Sequence, residues 1–297
     1  MPLVINTNVA SLNAQRHLQS SRGELEQAME RLSSGKRINS AMEDAAGLTI
    51  ANSLSTKINS LETAARNAND AISLIHLAEG ALDAVSSMLV RMRELATQAL
   101  NGTYSNDDRS NLDAEFGQLK SEITRISNNT YFNDISVIGQ VRTLGDTDGD
   151  DAELSFQIGY SSSDSIKMAT SDISSETLGY DANGNLDYTD SGDLKLSSQS
   201  LTSLTNAGNA LTAVDSALKQ VDTYRVNLGS VANRLGHTIE NLYSRIEQQT
   251  AARSRIQDAD YAVESANLAR AQVLQQAGTA MLAQANSSTM NVLSLLK

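Results

Sequence analysis

From Leu54 the chain places an apolar residue at every seventh position, through Leu61, Ala68, Ile75, Leu82 and Leu89 to Ala96. A companion line, Ile58, Ala65 and Ile72, runs four residues behind and then drifts to Ala78, Val85, Met92 and Ala99, three behind. Paired lines on a period near 3.5 describe one helix with a continuous seam for partner helices. Nothing interrupts it, because the single proline of the 297 residues is Pro2. Running from about Asp44 to about Leu100, such a helix spans about 85 Å at a rise of about 1.5 Å per residue. That is beyond an ordinary globular helix and predicts a rod in a bundle or coiled coil. Ser40 and Glu43 have capping-box spacing for its start, with Asp44 in the first turn.

Other segments carry the same signature. Leu112, Phe116, Leu119, Ile123 and Ile126 alternate spacings of four and three behind Asp107 and Asp108. A longer stripe runs through Leu211, Val214, Leu218, Val221, Leu228, Ala232, Leu235, Ile239, Leu242 and Ile246, interrupted by Arg225 at a position that would fix register. Gly229 and Gly236 in that stripe each cost about 1 kcal/mol against alanine, which points to close approach of another backbone. Leu18, Leu25 and Leu32 mark a terminal helix ending near Gly35, and Ser254 with Gln257 has the spacing of a second capping box ahead of Asp258 and Asp260. The chain is mirrored about its middle: terminal helix, rod helix, polar centre, rod helix, terminal helix. Both ends are expected to meet.

The period changes to two in the centre. Ala152, Leu154, Phe156, Ile158 and Tyr160 alternate with polar residues, and Ile166 and Met168 continue the alternation beyond Ser161, Ser162 and Ser163, which predicts a hairpin. Gly179 to Gly192 is a polar, turn-rich loop and the natural place for an insertion. The fold class is therefore mainly α: a long antiparallel helical rod or coiled-coil bundle with a small β-hairpin region.

Composition excludes several functions. Net charge is −12, but Gly145 to Asp193 holds twelve acidic residues against Lys167 alone, which leaves the rest of the chain at −1. No basic stripe suited to nucleic acid exists. Asp146, Asp148 and Asp150, and again Asp181, Asn183 and Asn185, have EF-hand ligand spacing, but Asp151 and Leu186 stand where glycine is required and Gln157 and Gly192 where glutamate is required. A solvated loop is the better reading. His17, His76 and His237 lie far apart without paired-ligand spacing, and Gly35-Lys36 lacks the flanking residues of a P-loop. No catalytic constellation, metal site or cofactor site is expected. With no cysteine there is neither disulfide nor thiol nucleophile, which suits a chain that crosses compartments unfolded. Met1 to Ala10 has neither the basic nor the apolar region of a cleaved signal. The chain either stays in the cytoplasm or leaves by another route.

From Ala271 to Leu296 no residue is charged, yet Gln272, Gln275, Gln276, Gln284, Asn286 and Asn291 rule out a membrane span. Its apolar residues follow two lines, Ala266, Val273 and Ala280 on one and Leu274, Met281 and Leu295 on the other. One partner helix covers one stripe, so this tail predicts packing inside an assembly. Val273, Leu274, Met281, Leu282, Val292, Leu295 and Leu296 are its candidate polymerisation residues. A cytoplasmic helical-bundle scaffold or adaptor is the alternative from the heptads alone, but a finished bundle has no reason to leave such a surface uncovered.

The stretches VINTNVASLNAQ, RLSSGKRINSAMEDAAGLTIAN, RNANDAIS, AEGAL and RELATQ, then IQDADYAVESANLARAQVLQQAGTAMLAQAN and NVLSLLK, resemble bacterial flagellin over about residues 1 to 140 and 200 to 297. The centre, about 141–200, is short for that family, so the chain resembles a minimal flagellin. The resemblance implies a subunit exported through the flagellar type III apparatus to an extracellular filament, the helical propeller of motility. Residues 1–43 and 255–297 would pair as a coiled coil in the inner filament core, and 44–254 would form the rod domain outside it. It also implies a homo-polymer, an export chaperone on the C-terminal segment, filament cap and hook–filament junction proteins, and recognition by a vertebrate flagellin-sensing Toll-like receptor. The positions matching the receptor and subunit contact are Arg91, Leu95 and Glu115, expected as one exposed patch.

Overall fold

The structure is a computed structural model that describes residues 8–139, 153–180 and 194–294. The chain divides into two compact units, one of residues up to Asn59 and from Ile246 onward, the other Ser60–Arg245.

In the first unit α1 (Val9–Ser34) packs against α5 (Tyr261–Ser294), as the mirrored plan predicts. They run antiparallel: Asn8 Nδ2 donates to the Ala285 carbonyl (2.9 Å), Ser11 Oγ to Asn286 Oδ1 (3.0 Å), and at the other end Arg31 Nη1 to Glu264 Oε1 (3.0 Å). Asn8 also caps α1 through the Ser11 N–H, and α1 stops at Gly35, whose φ of 70° is the left-handed C-cap that glycine adopts without steric cost. Beyond the cap the two connectors zip together. The Arg37 N–H donates to the Gln257 carbonyl (2.6 Å) and the Ala259 N–H to that of Gly35 (3.0 Å). The two terminal helices are thus paired along their length within one chain.

Two caps differ from their expected form. Asp44 starts α2 (Ala45–Ala99) by accepting from the Gly47 N–H (2.8 Å), because Glu43 is taken up by Arg31 and by the Asn39 N–H. Ser254 lies inside α4 (Leu204–Gln257), and Asp260 caps α5 instead, accepting from Ala262 (2.9 Å) and Val263 (3.3 Å). Arg253 donates to Ser55 Oγ (3.3 Å), tying the end of α4 to the start of α2, so the first unit is wider than the terminal segments 1–43 and 255–297.

The second unit is the helical rod. Along α2 both heptad lines are buried from Leu61 to Ala99, apart from the half-buried Ile72. Arg93 to Asp215 (2.6 Å) and Asp83 to Arg225 (3.6 Å) show α4 antiparallel to α2. The third rod helix, α3 (Asn106–Asn129), opens on a capping box of Ser105 and Asp108 and buries Phe116 and Ile123. The α4 stripe departs from its expected register at one point. Tyr224 is buried and donates to the Val137 carbonyl (3.2 Å), whereas Arg225 reaches outward to Asp83. An aromatic body with a hydrogen-bonded hydroxyl fits the core and a guanidinium does not. Gly229 and Gly236 face open space within the chain, so close approach does not explain them here; on α5, Gly278 does meet its partner helix, with Leu18 at 3.1 Å from where a Cβ would stand.

Among the described residues three antiparallel pairs occupy the centre. The predicted hairpin is β3 (Glu153–Gln157) with β4 (Ser165–Ala169), in a register that sets Leu154 opposite Met168 and Phe156 opposite Ile166. It buries Leu154, Ile166 and Met168 against the rod, while Tyr160 stays half exposed. A tight hairpin that the spacing did not show joins β1 (Tyr131–Phe132) to β2 (Ile135–Ser136) through Asn133 and Asp134, at φ of 49° and 64°. The third pair joins β5 (Gly179–Tyr180) to β6 (Leu194–Lys195). The candidate loop ligands Asp146, Asp148, Asp150, Asp181, Asn183 and Asn185 lie outside the described residues.

Candidate functional site

Two surfaces hold the residues singled out in the sequence. On α5, the face packed against α1 runs through Glu264, Leu268, Ala271, Gln275, Gly278, Leu282 and Ala285, a stripe of mostly small or polar side chains. The described members of both apolar lines expected of the tail, Ala266, Val273 and Ala280 on one and Leu274 and Met281 on the other, are therefore left outside it. Val273 and Met281 are each 64% exposed and Leu274 44%. Of the candidate polymerisation residues described in side-chain detail, Leu282 alone is half buried. Val292 is described by its helical backbone, and Leu295 and Leu296 lie outside the described residues. The partner helix turns its predicted line Leu18, Leu25 and Leu32 inward together with Ser11, Ser21 and Ala28, and still leaves Val9, Leu12 and Met29 more than half exposed. Scattered surface apolar residues are ordinary, but a helix pair that keeps Val273, Leu274 and Met281 of one helix and Val9, Leu12 and Met29 of the other outside its mutual seam is built to be covered again.

An ionic node closes the lower end of this pair. Glu43 Oε2 accepts from the Asn39 N–H (2.8 Å), and its Oε1 accepts from Gln27 Nε2 (2.7 Å) and from Arg31 Nη2 (3.1 Å). The Asn39 amide, then Gln27 and Arg31, hold the Glu43 carboxyl down at about 2 against burial, which opposes the shift. Arg31 grips Glu264 with its remaining nitrogen (3.0 Å), so one guanidinium joins α1, the connector to α2, and α5.

The second surface lies on the rod. Arg91 Nε donates to Glu115 Oε1 (2.8 Å) and Nη1 to Glu94 Oε2 (3.0 Å), the hydrogen bond to Glu115 being the main cause of the raised pKa of Arg91. Antiparallel packing of α2 and α3 thus brings Arg91 and Glu115 together at the surface. Leu95 does not join them there. It is fully buried, because α2 has two neighbouring helices and a third line, Leu74, Ala81, Met88 and Leu95, also turns inward. The patch is a surface ion pair over a core leucine, not three exposed residues.

Several anchors of the rod carry no periodic or motif signal. Arg109 is buried and donates to the carbonyls of Ala99 (2.9 Å) and Asn101 (3.2 Å), capping the end of α2 with positive charge. Gln220 reads the backbone of Gly179 in both directions, accepting from its N–H (3.1 Å) and donating to its carbonyl (2.9 Å). Among the described residues no cluster of metal-ligating side chains occurs.

The chain matches the model of the bacterial flagellin N-terminal helical region over residues 5–143 and that of the C-terminal helical region over residues 211–296. It is a member of the bacterial flagellin family. It is 40% identical to a flagellin of Halalkalibacterium halodurans over 295 residues, covering 99% of this chain and all of that one, and 40% identical to a flagellin of Bacillus subtilis over 302 residues, covering 99% of each. Among solved structures, the crystal structure of Bacillus cereus flagellin aligns with a TM-score of 0.46 at 30% identity, covering 60% of this chain and 88% of that one. As a flagellin the chain is a structural subunit of the bacterial flagellar filament and self-polymerises; it is not an enzyme. The scaffold alternative is not favoured.

Proposed function

We propose that the uncovered apolar face of the α1–α5 pair is the polymerisation surface, with residues 1–43 and 255–297 forming the inner core of the filament and 44–254 the rod domain around it. The observation that carries this reading is the exposure of Val273, Leu274 and Met281 beside Val9, Leu12 and Met29. Each larger side chain gains about 1.5 to 3 kcal/mol on full burial, a gain realised only against other subunits. Subunits leave the cell through the flagellar type III apparatus to an extracellular filament. The export chaperone covers the C-terminal segment, Val292, Leu295 and Leu296 included, until then, and cap and hook–filament junction proteins meet the same helices at the ends of the filament. Removing Ala271 to Lys297 is expected to abolish seeded growth while circular dichroism still shows the helical rod. Seeded growth by the truncated chain would refute the assignment.

We assign the receptor contact to Arg91 and Glu115, with Leu95 supporting their helix face from below. Support comes from the family resemblance together with the 2.8 Å ion pair, which presents both side chains at the surface. Arg91→Ala should weaken binding of the monomer to the receptor ectodomain in a surface-plasmon assay. Unchanged binding by the folded variant would remove the site.

A further inference from the structure

The connector between α2 and α3 contains an asparagine followed by glycine, Asn101-Gly102, in surroundings that favour chemistry between the two. We propose that Asn101 is a self-modifying site: the Gly102 amide nitrogen closes on the Asn101 side chain, and the asparagine ends as aspartate or isoaspartate in the folded subunit. The inference is independent of the filament reading.

The reaction needs an accessible side chain, an unhindered nucleophile and stabilisation of negative charge. Asn101 and Gly102 are exposed, and Asn101 lines an open cleft of about 550 Å³ with Arg93, Thr97, Gln98 and Tyr104, so water reaches it. A β-carbon at Gly102 would meet open space, so nothing crowds the attacking nitrogen. The side chain is held folded over the next residues, its Oδ1 accepting from the Thr103 N–H (3.2 Å), which also polarises Cγ toward attack. The nucleophile is the deprotonated Gly102 nitrogen, whose charge is shared with the Asn101 carbonyl oxygen across the peptide bond. That oxygen accepts from Arg109 Nη2 (3.2 Å) and from the Tyr104 N–H (3.3 Å). Arg109 is buried and fixed by its bond to the Ala99 carbonyl, so a preorganised cation faces the atom where charge develops.

The Gly102 N–H loses its proton to solvent base, the N–Cγ bond forms, the Cγ–Nδ2 bond breaks, and the nitrogen leaves as ammonia after taking a proton. Water then opens the five-membered imide. Addition at Cγ leaves an ordinary aspartate at this position; addition at the backbone carbonyl leaves isoaspartate, with the chain running through the former side chain. One water is consumed, one ammonia released, and nothing is oxidised. The product puts a carboxylate just past the end of α2, where the helix dipole is also negative.

The test is to hold the full-length folded protein, and the same chain in urea, in mildly alkaline buffer and follow residue 101 by peptide mapping with isoaspartate labelling. The folded chain is expected to convert at least as fast as the unfolded one. Gly102→Ala, which the open space accommodates, should leave the circular dichroism unchanged and slow conversion about tenfold or more. Arg109→Lys should slow the folded reaction only, since losing a charge-assisted hydrogen bond of about 1.5 to 3 kcal/mol corresponds to about tenfold or more. An Asn101 that stays amidated in the folded chain while converting in urea would overturn the proposal, as would a Gly102→Ala chain that converts as fast as its parent. An unchanged folded rate in a folded Arg109→Lys chain would overturn the role given to the guanidinium.

Discussion

Replacing Glu43 by glutamine should make the first unit less stable at neutral pH and remove a distinct part of its acid sensitivity. The carboxyl titrates at about 2 in the folded chain against an ordinary 4.5, held there by the Asn39 amide, Gln27 and Arg31. At about 1.4 kcal/mol per unit this gap corresponds to about 3 kcal/mol, an upper bound. Its side chain is 17% exposed, so water screens part of the interaction and about 1 to 2 kcal/mol is the working expectation. Because the folded pKa is depressed, the stabilisation is complete above the unfolded value of 4.5 and is lost as pH falls toward 2. Thermal melts of both chains at a series of pH values should therefore show curves separated by several degrees at neutral pH that converge in acid. Carbon-detected NMR of the Glu43 carboxyl should find its midpoint far below those of exposed glutamates. Parallel melting curves with the same acid sensitivity would refute the reasoning and make Glu43 a surface carboxylate with incidental neighbours.

Leu95→Ala should destabilise the rod by about 2 to 5 kcal/mol through a buried cavity, measurable by urea denaturation; a change within error would mean that Leu95 is not in the core. Burial pushes the Tyr224 hydroxyl up to about 12, so the stability it lends is lost as pH rises from 10.0 toward 12, and Tyr224→Phe should remove that alkaline component at a cost of about 1 kcal/mol at neutral pH. Identical alkaline melts of the two chains would contradict this. Replacing residues 181–193 by a short Gly-Ser linker should preserve rod helicity by circular dichroism, whereas an excision that begins at Gly179 should lower stability, because Gln220 and Leu194–Lys195 hold that strand. Equal stability of the two deletions would show that Gly179 anchors nothing.

The long helices were legible because apolar spacing records burial directly: Leu54 to Ala96 and Leu112 to Ile126 lie in α2 and α3, where their periods put them. Leu95 was misplaced for a physical reason. Two apolar lines suffice for one partner helix, and the third, Leu74 to Leu95, acquires meaning only when α2 has α3 and α4 on different sides. Tyr224 taking the core position beside Arg225 reflects a similar choice between adjacent residues, decided by desolvation and not by period. The caps failed because local signals compete with tertiary partners. Glu43 had the correct spacing from Ser40, but Arg31, twelve residues earlier, claims it. The β1–β2 hairpin did carry a signal, Asn-Asp between strand-forming residues, of the kind that favours left-handed turn positions. Of the candidate sites, Arg91 and Glu115 were marked by the family resemblance, whereas helix spacing alone joined Arg91 to Leu95, which the structure separates into surface and core. The α1 side of the α1–α5 seam follows the legible Leu18, Leu25 and Leu32 line, but its α5 side did not show, since glutamine and glycine at positions 275 and 278 look like exposed residues until the partner helix is in place.

Seeded growth of the full chain, followed by turbidity and negative-stain electron microscopy beside a Val273→Ser, Met281→Ser variant, tests the central claim most directly. The full chain should grow into long tubular filaments. The variant should keep its circular dichroism, since both side chains are exposed in the single chain, and should remain monomeric or grow far more slowly. A full chain that stays monomeric with seeds and high salt would contradict the account, and so would a folded variant that grows as fast as its parent.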